Sequence, residues 1–166
     1  MKRSCLGAAF AVVAGVSLNA AGDRIDVGAI IDKATAESLL GEQVKDPAPR
    51  NGDSSDGYYS KCNYYGISRR KSLLVRVHIA ADGAMDPEKQ LELVSASNGS
   101  TKRVDGIGDR AEMFAGGGQP GIAPRLLMLY VAKGNAFFTI GLSGFDDEVS
   151  ALEKARSIAQ KLIEHL

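Results

Sequence analysis

The sequence predicts an α+β domain in which helices pack against an antiparallel sheet of about five strands. Residues 58–65 and 73–80 alternate polar with apolar side chains, which is the period of a half-buried strand. Two more apolar segments, 125–134 and 135–144, follow each other through a tight turn, and short links between consecutive strands indicate antiparallel pairing. The chain ends in an amphipathic helix, which can cover one face of such a sheet.

The start of the chain predicts a signal peptide at residues 1–21, followed by a single domain at residues 22–166. A positively charged start, an apolar segment at residues 6–18 and small residues form the three parts of a secretory signal, with cleavage expected after Ala20 or Ala21. The apolar segment is shorter than the roughly 17–25 residues of a bilayer-spanning helix. We therefore expect a periplasmic or secreted protein without stable membrane insertion after cleavage. A retained membrane anchor is the alternative.

The domain is expected to begin with helical elements and a loop. Apolar residues between 27 and 31 have helical spacing, and Thr35 can cap a short helix that Gly41 ends in a left-handed conformation. Residues 45–57 combine proline and glycine with Asp, Ser and Asn, which predicts a flexible loop.

The two alternating strands are expected to bury the face that carries no charge. In the first strand the inward side chains are those of Tyr58, Ser60, Cys62 and Tyr64. The outward side chains are those of Tyr59, Lys61, Asn63 and Tyr65. In the second strand Val75, Val77 and Ile79 face inward, while Arg76 and His78 face outward.

The second half of the chain predicts the remaining elements. Asp86 and Pro87 can begin a helix, and residues 110–115 predict a strand. The glycine-rich residues 116–121 predict a flexible connector, since they lack the Lys-Ser/Thr pair of a phosphate-binding loop. A loop that gates a ligand is the alternative. The predicted order is helix, strand, strand, helix, strand, strand, strand, helix.

The last helix is expected to begin at Asp146 as its N-cap and to pack on the core. Its apolar stripe consists of Val149, Leu152, Ala155, Ala159, Leu162 and Leu166, with Ile158 and Ile163 beside it. A helix that binds a partner through this stripe is the alternative.

The composition does not indicate a catalytic site, a metal site, a cofactor or a nucleic-acid partner. Lys and Arg number 20, as do Asp and Glu, and we expect the basic run at 69–71 to be a solvated turn. A zinc site takes three or four Cys, His or carboxylate ligands, and the expected mature chain has only Cys62, His78 and His165 as soft ligands. His78 is predicted on the face opposite Cys62, so we expect no Cys–His pair and no enzyme.

Cys62 has no partner within the expected mature chain, because Cys5 belongs to the predicted signal peptide. A buried free thiol is favoured, since free cysteine is among the most buried residue types. A disulfide between two chains is the alternative.

Several short motifs resemble a family of small exported bacterial domains of unknown function, many of which are lipoproteins. They are IDVGAIIDKATAESLLG, KCNYY, VDGIGDRA and YVAKGNAFFTI, followed by the terminal helix. A more remote similarity is to the α/β/α sandwich of PsbP-like proteins. The resemblance implies an extracytoplasmic binding or interaction module without established catalytic residues. The chain departs from the family at Gly28, where members commonly have a cysteine that would pair with Cys62, and it lacks the lipid-anchor cysteine.

The leading interpretation is an exported, non-enzymatic binding module that engages a protein partner, with Tyr59 and Tyr65 as outward contacts. The alternative is a carrier of a small apolar ligand in a pocket between sheet and helices. The candidate lining of that pocket is Tyr130, Phe137 and Phe138. Asp109 is a further candidate contact, although the simpler interpretation is that it bonds to amides of a local turn. An enzyme is the least favoured class.

Overall fold

A computed structural model of the protein describes residues 24–99, 101–116 and 125–166. The described residues form an α+β fold with one seven-stranded antiparallel sheet, so the fold class is confirmed and the number of strands is larger than expected. The helices are α1 (Val27–Ile30), α2 (Lys33–Leu40), α3 (Pro87–Asn98) and α4 (Glu148–Ile163). The strands are β1 (Arg50–Ser54), β2 (Gly57–Tyr65), β3 (Ser72–Ala80), β4 (Lys102–Arg103), β5 (Arg110–Gly116), β6 (Arg125–Lys133) and β7 (Ala136–Phe145).

The sheet consists of two meanders that meet in its middle. Its strand order is β1-β2-β3-β7-β6-β5-β4, and all neighbours are antiparallel. The first meander runs from β1 to β3, and the second runs from β4 to β7. Helix α3 connects them, and the second meander returns so that β7 lies against β3.

The two faces of the sheet are covered differently. The inner face packs against α1, α2 and α4 and forms the main core with fully buried side chains such as Val77 and Phe138. The outer face packs against α3 mainly over β5, β6 and β7, and Gln90 of α3 also contacts His78 on β3. The outer face of β1, β2 and β3, called here the open half, exposes Lys61, Tyr65 and Arg76 to solvent.

The predicted faces of the alternating strands are largely confirmed. Ser60, Cys62 and Tyr64 are buried on the inner face, and the residues between them are exposed. His78 differs from its prediction in exposure but not in face. It points outward, yet it is only 5% exposed, because the ring of Tyr59 and the side chain of Gln90 from α3 lie against it.

The flexible loop predicted at residues 45–57 is wrong in part, since β1 occupies its centre. All five residues of β1 are exposed and none has an apolar side chain larger than that of glycine, so the composition resembles that of a loop. An edge strand needs only backbone pairing with one neighbour, and charged or polar side chains are common there. Strand β4, the other edge, was not predicted because two residues carry no periodic pattern.

Two helix starts differ from their predictions by a few residues. Asp32, and not Thr35, caps α2, and its carboxylate accepts a 2.7 Å hydrogen bond from the Thr35 amide. Asp147, and not Asp146, caps α4, because its carboxylate reaches the free amides of the first turn. Gly41 ends α2 in the left-handed conformation with φ 68°, as predicted.

The apolar stripe of α4 packs on the core, but its membership differs from the prediction. The fully or nearly buried residues are Ala151, Ala155, Ile158, Ala159 and Leu162, while Leu152 and Ile163 are partly buried. Val149 is 66% exposed and Leu166 is 40% exposed, so neither belongs to the core. The buried set begins at Ala151 and keeps helical spacing to Leu162, and Val149 lies outside that stripe on the first turn.

The predicted signal peptide at residues 1–21 lies outside the described residues, as does the predicted connector apart from Gly116, the last residue of β5. Within the described ranges no helix is both long and apolar enough to cross a bilayer.

Leu162 tests the docking of α4. Its side chain is fully buried, so Leu162→Asp should lower the free energy of unfolding by several kcal/mol, out of a typical total of ~5–15 kcal/mol. The neighbouring Lys161 is exposed, and Lys161→Ala should change that free energy by at most about 0.5 kcal/mol. Urea unfolding of both variants measures the difference. An unchanged midpoint for Leu162→Asp would show that α4 is not docked on the sheet.

Candidate functional site

Three positively charged side chains lie next to one another across the open half. Arg50 on β1 pairs with Lys61 on β2, and Lys61 pairs with Arg76 on β3. We call these three residues the cationic row. All three are exposed, and two strand spacings place its ends ~10 Å apart. Like charges directly opposite each other destabilise a sheet, so this arrangement is unfavourable unless an anion neutralises it.

The cationic row is not neutralised within the described ranges 24–99, 101–116 and 125–166. None of its three side chains forms an ion pair or a hydrogen bond with a residue of those ranges. Elsewhere in those ranges six basic side chains contact a carboxylate. They are Arg24, Lys33, Lys102, Arg103, Arg110 and Lys133.

More basic residues surround a depression at the end of the open half, where the β2–β3 turn lies. The depression has a volume of about 440 Å³. It is lined by Lys45, Tyr65, Arg69, Arg70, Lys71, Ser72 and Ser143. Lys71 donates a 2.8 Å hydrogen bond to the carbonyl of Leu40 at the end of α2. The residues that line this depression add to the positive charge of the open half.

A cleft between α3 and the sheet borders the cationic row on its other side. We call it the α3 cleft, and its volume is about 500 Å³. The sheet contributes Tyr59, Arg76, His78, Tyr130, Phe137 and Thr139, and α3 contributes Gln90, Leu93, Val94 and Ser97. Arg76 belongs to both the row and the cleft, so the two features form one continuous surface.

Tyr59 is held in place by a small network at the top of this cleft. Its ring stacks on that of His78 with 4.2 Å between centroids, and its hydroxyl donates a 2.6 Å hydrogen bond to Oδ2 of Asp56. His78 Nε2 lies 3.2 Å from the carbonyl oxygen of Asp56, and its Nδ1 lies 3.3 Å from Oε1 of Gln90. Burial raises the pKa of Tyr59 to about 12, and the hydrogen bond to the Asp56 carboxylate contributes to the shift.

The three aromatic residues predicted to line one pocket are divided between two faces. Tyr130 and Phe137 lie on the outer face with 6.3 Å between ring centroids, and they pack beneath α3 with Leu91. Phe138 is fully buried in the core of the inner face. Adjacent residues of a strand point to opposite faces, so Phe137 and Phe138 cannot line the same pocket. The predicted three-residue pocket is therefore corrected to two residues at the α3 cleft.

Tyr65 lies where the sequence places it, on the open half with 52% of its surface exposed. Its hydroxyl oxygen accepts a 3.3 Å hydrogen bond from the side-chain amide of Asn63. Tyr65 also lines the basic depression, so it is available for contact with a ligand or partner.

Asp109 stabilises a turn of the fold. Its carboxylate accepts a 2.7 Å bond from Lys133 Nζ and a 2.8 Å bond from the amide of Gly134, and thereby fixes the β6–β7 hairpin. The hydrogen bond from Lys133 holds the pKa of Asp109 below its ordinary value. The preceding Gly108 has φ 61°, and a Cβ there would lie 2.4 Å from a methyl group of Val131. The VDGIGDRA motif thus has a structural explanation.

Cys62 is a free, buried thiol on the inner face, with 1% of its surface exposed. The predicted separation from His78 is present, because the two side chains point to opposite faces of the sheet. Among the described residues no group of three or more His, Cys, Asp or Glu is arranged to hold a metal ion.

Sequence reasoning missed the cationic row. Lys61 and Arg76 were both expected on the outward side of their strands, but Arg50 fell within the predicted loop. The signal available in the sequence was the outward position of two cations, and the register that sets them opposite each other is not a local property.

The chain matches no known protein-family profile, and no curated protein is significantly similar to it.

Tyr59 makes the stability of the protein depend on pH in the alkaline range. The pKa of about 12 in the folded state lies above the ~10 of an unfolded tyrosine. The stabilisation is complete below about pH 10 and is lost as pH rises towards about 12, because the unfolded state releases its proton first. In an alkaline titration followed by ultraviolet absorbance, Tyr59→Phe should remove the signal of one tyrosine from the late, high-pH phase. An unchanged late phase would contradict the network at Asp56.

Cys62 should react slowly in the folded protein. In a chain with Cys5→Ser, the native protein should resist a thiol reagent that labels Cys62 at once in denaturant, because the thiol is buried. Cys62→Ala should cost on the order of 1 kcal/mol through lost packing. Rapid labelling of the native protein, or conversion of a dimer to a monomer by reducing agent, would contradict the buried thiol.

Proposed function

We propose that the protein is an exported, non-enzymatic binding module that engages a protein partner through the open half of its sheet. The observation that carries this proposal is the cationic row, in which Arg50, Lys61 and Arg76 are neighbours with no acidic residue of the described ranges paired to them. A sheet that places like charges opposite one another is less stable alone than one with mixed charges. A partner that neutralises the row would offset that loss.

Features around the row support a protein as the partner. Tyr65 is exposed beside the basic depression, and tyrosine is enriched among the residues that contribute most to protein interfaces. Leu93 of α3 is 51% exposed at the rim of the α3 cleft and offers an apolar contact near Arg76. Together they give a surface with charged, aromatic and apolar groups.

Two further parts of the proposal, export and a non-enzymatic role, have separate support. Export is supported by the signal-peptide pattern at residues 1–21 and by the resemblance to small exported bacterial domains. A non-enzymatic role is supported by the position of Cys62 and His78 on opposite faces, where they cannot act as a nucleophile and its base.

The carrier of a small ligand is the second candidate function, and the α3 cleft is the observation in its favour. Its volume of about 500 Å³ lies in the range of small-molecule sites, and Tyr130 and Phe137 form part of its wall. Arg76 and Ser97 also line this cleft, which favours a ligand with an anionic group over a purely apolar one. Native mass spectrometry of the protein from its own cells would detect a retained ligand.

Site-specific crosslinking in the producing cells tests the protein-partner proposal. Replacing Asn63 of the open half with benzoyl-phenylalanine should yield, on irradiation, an adduct with one other protein. The same replacement of Glu153, which is exposed on α4, should yield no adduct, because α4 lies on the face of the sheet opposite the open half. Equal adducts at both positions, no adduct at Asn63, or an adduct of two copies of this chain would contradict the proposal.

A further inference from the structure

The geometry points to one class of partner segment. We propose that the cationic row binds an α-helix of the partner that carries acidic residues at positions i, i+4 and i+7. The inference rests on the proposed function, because it names the chemistry of the partner that the open half engages.

The spacing of the row matches a helix better than an extended segment. Side chains at i and i+4 of a helix have Cβ atoms about 5–6 Å apart, and the rise from i to i+7 is about 10.5 Å. Neighbouring cations of the row lie on strands ~4.8 Å apart, and the row is ~10 Å long. Three same-side residues of an extended segment would span ~13 Å and would not match each cation in turn.

The charges of the two surfaces are complementary, and binding relieves the repulsion within each surface. Acidic side chains four residues apart repel each other in a free helix, and the three cations repel each other in the free sheet. Binding removes both repulsions. Arg50 and Arg76 can each hold a carboxylate through two parallel hydrogen bonds, while Lys61 between them contributes a compact charge.

The cleft at the Arg76 end of the row provides an apolar contact for such a helix. Leu93 and Val94 of α3 line the cleft together with Arg76. A helix lying along the row would reach these two side chains with the turn beyond its last acidic residue, at the Arg76 end of the row. The partner helix is thus expected to carry apolar residues on the turn that adjoins its acidic stripe.

Two other anionic partners fit the surface less well. A nucleic-acid-binding domain usually has a strong excess of basic residues, whereas this chain has 20 basic and 20 acidic residues. A protein that binds a membrane surface inserts apolar side chains. The open half instead presents the polar Asn63 and Ser72 near the row, and its Leu74 is only partly exposed.

A pair of designed peptides tests the inference. The first is an alanine-rich peptide of about 20 residues, long enough to be helical alone, with glutamates in one i, i+4, i+7 stripe. The second has the same composition with the glutamates distributed around the helix. Fluorescence anisotropy at low salt should show the striped peptide binding about tenfold more tightly, with the difference decreasing as salt is added. Equal affinities for the two peptides would overturn the proposal.

Two matched double variants assign the binding to the row. Lys61→Gln with Arg76→Gln should weaken the striped peptide about tenfold, whereas Lys161→Gln with Arg156→Gln on α4 should leave its affinity unchanged. Both variants remove one lysine and one arginine, so net charge is controlled, and thermal melting verifies that both are folded. An equal loss in the two variants would show that only net charge attracts the peptide and would overturn the assignment.

The remaining outcomes separate this inference from the proposed function. Tighter binding of a single-stranded thymidine oligomer or of phosphatidylglycerol vesicles, lost in the Lys61/Arg76 variant, would replace the acidic helix with that partner. An adduct at Asn63 in cells, combined with failure of the striped peptide, would contradict the helix and leave the protein partner supported. Absence of the Asn63 adduct would contradict the proposed function itself.

Discussion

The antiparallel pairing of β3 with β7 holds the two halves of the sheet together. It joins two meanders that are distant in the chain, with Val75 opposite Ile140 and Val77 opposite Phe138 near its centre. All four side chains are fully buried on the inner face, so the pairing also unites the core. Without it, each meander would present a long apolar edge strand, which is a site of aggregation.

The same pairing decides where the binding surface begins. Because β7 lies against β3, α3 covers β5–β7 and meets the open half along the α3 cleft. Glu112 holds α3 in this position, since it accepts hydrogen bonds from Ser95 and Thr101 and pairs with Arg110 at 2.8 Å. The main core lies on the opposite face, so the open half can carry repulsive charges that cost on the order of 0.2–1 kcal/mol per pair.

The sequence interpretation is accurate where local interactions decide the structure, and it fails where contacts between distant segments decide it. Alternation placed Tyr59 and Tyr65 on the outer face, because side-chain direction in a strand repeats every two residues. The same rule separates Phe137 from Phe138, and the expectation of a pocket lined by both overlooked it. The exposure of His78 was not predictable in this way, since Gln90 of α3 covers it and that contact arises from packing of separate elements.

Local sequence patterns specify much of the secondary structure, including the alternating strands, the amphipathic α4 and the left-handed end of α2 at Gly41. The same patterns specify which side chains share a strand face. The packing of distant segments is what makes Arg50, Lys61 and Arg76 neighbours and leaves them uncovered by α3. Strand order and register depend on contacts between distant segments, and a shift of one residue would send each side chain to the other face.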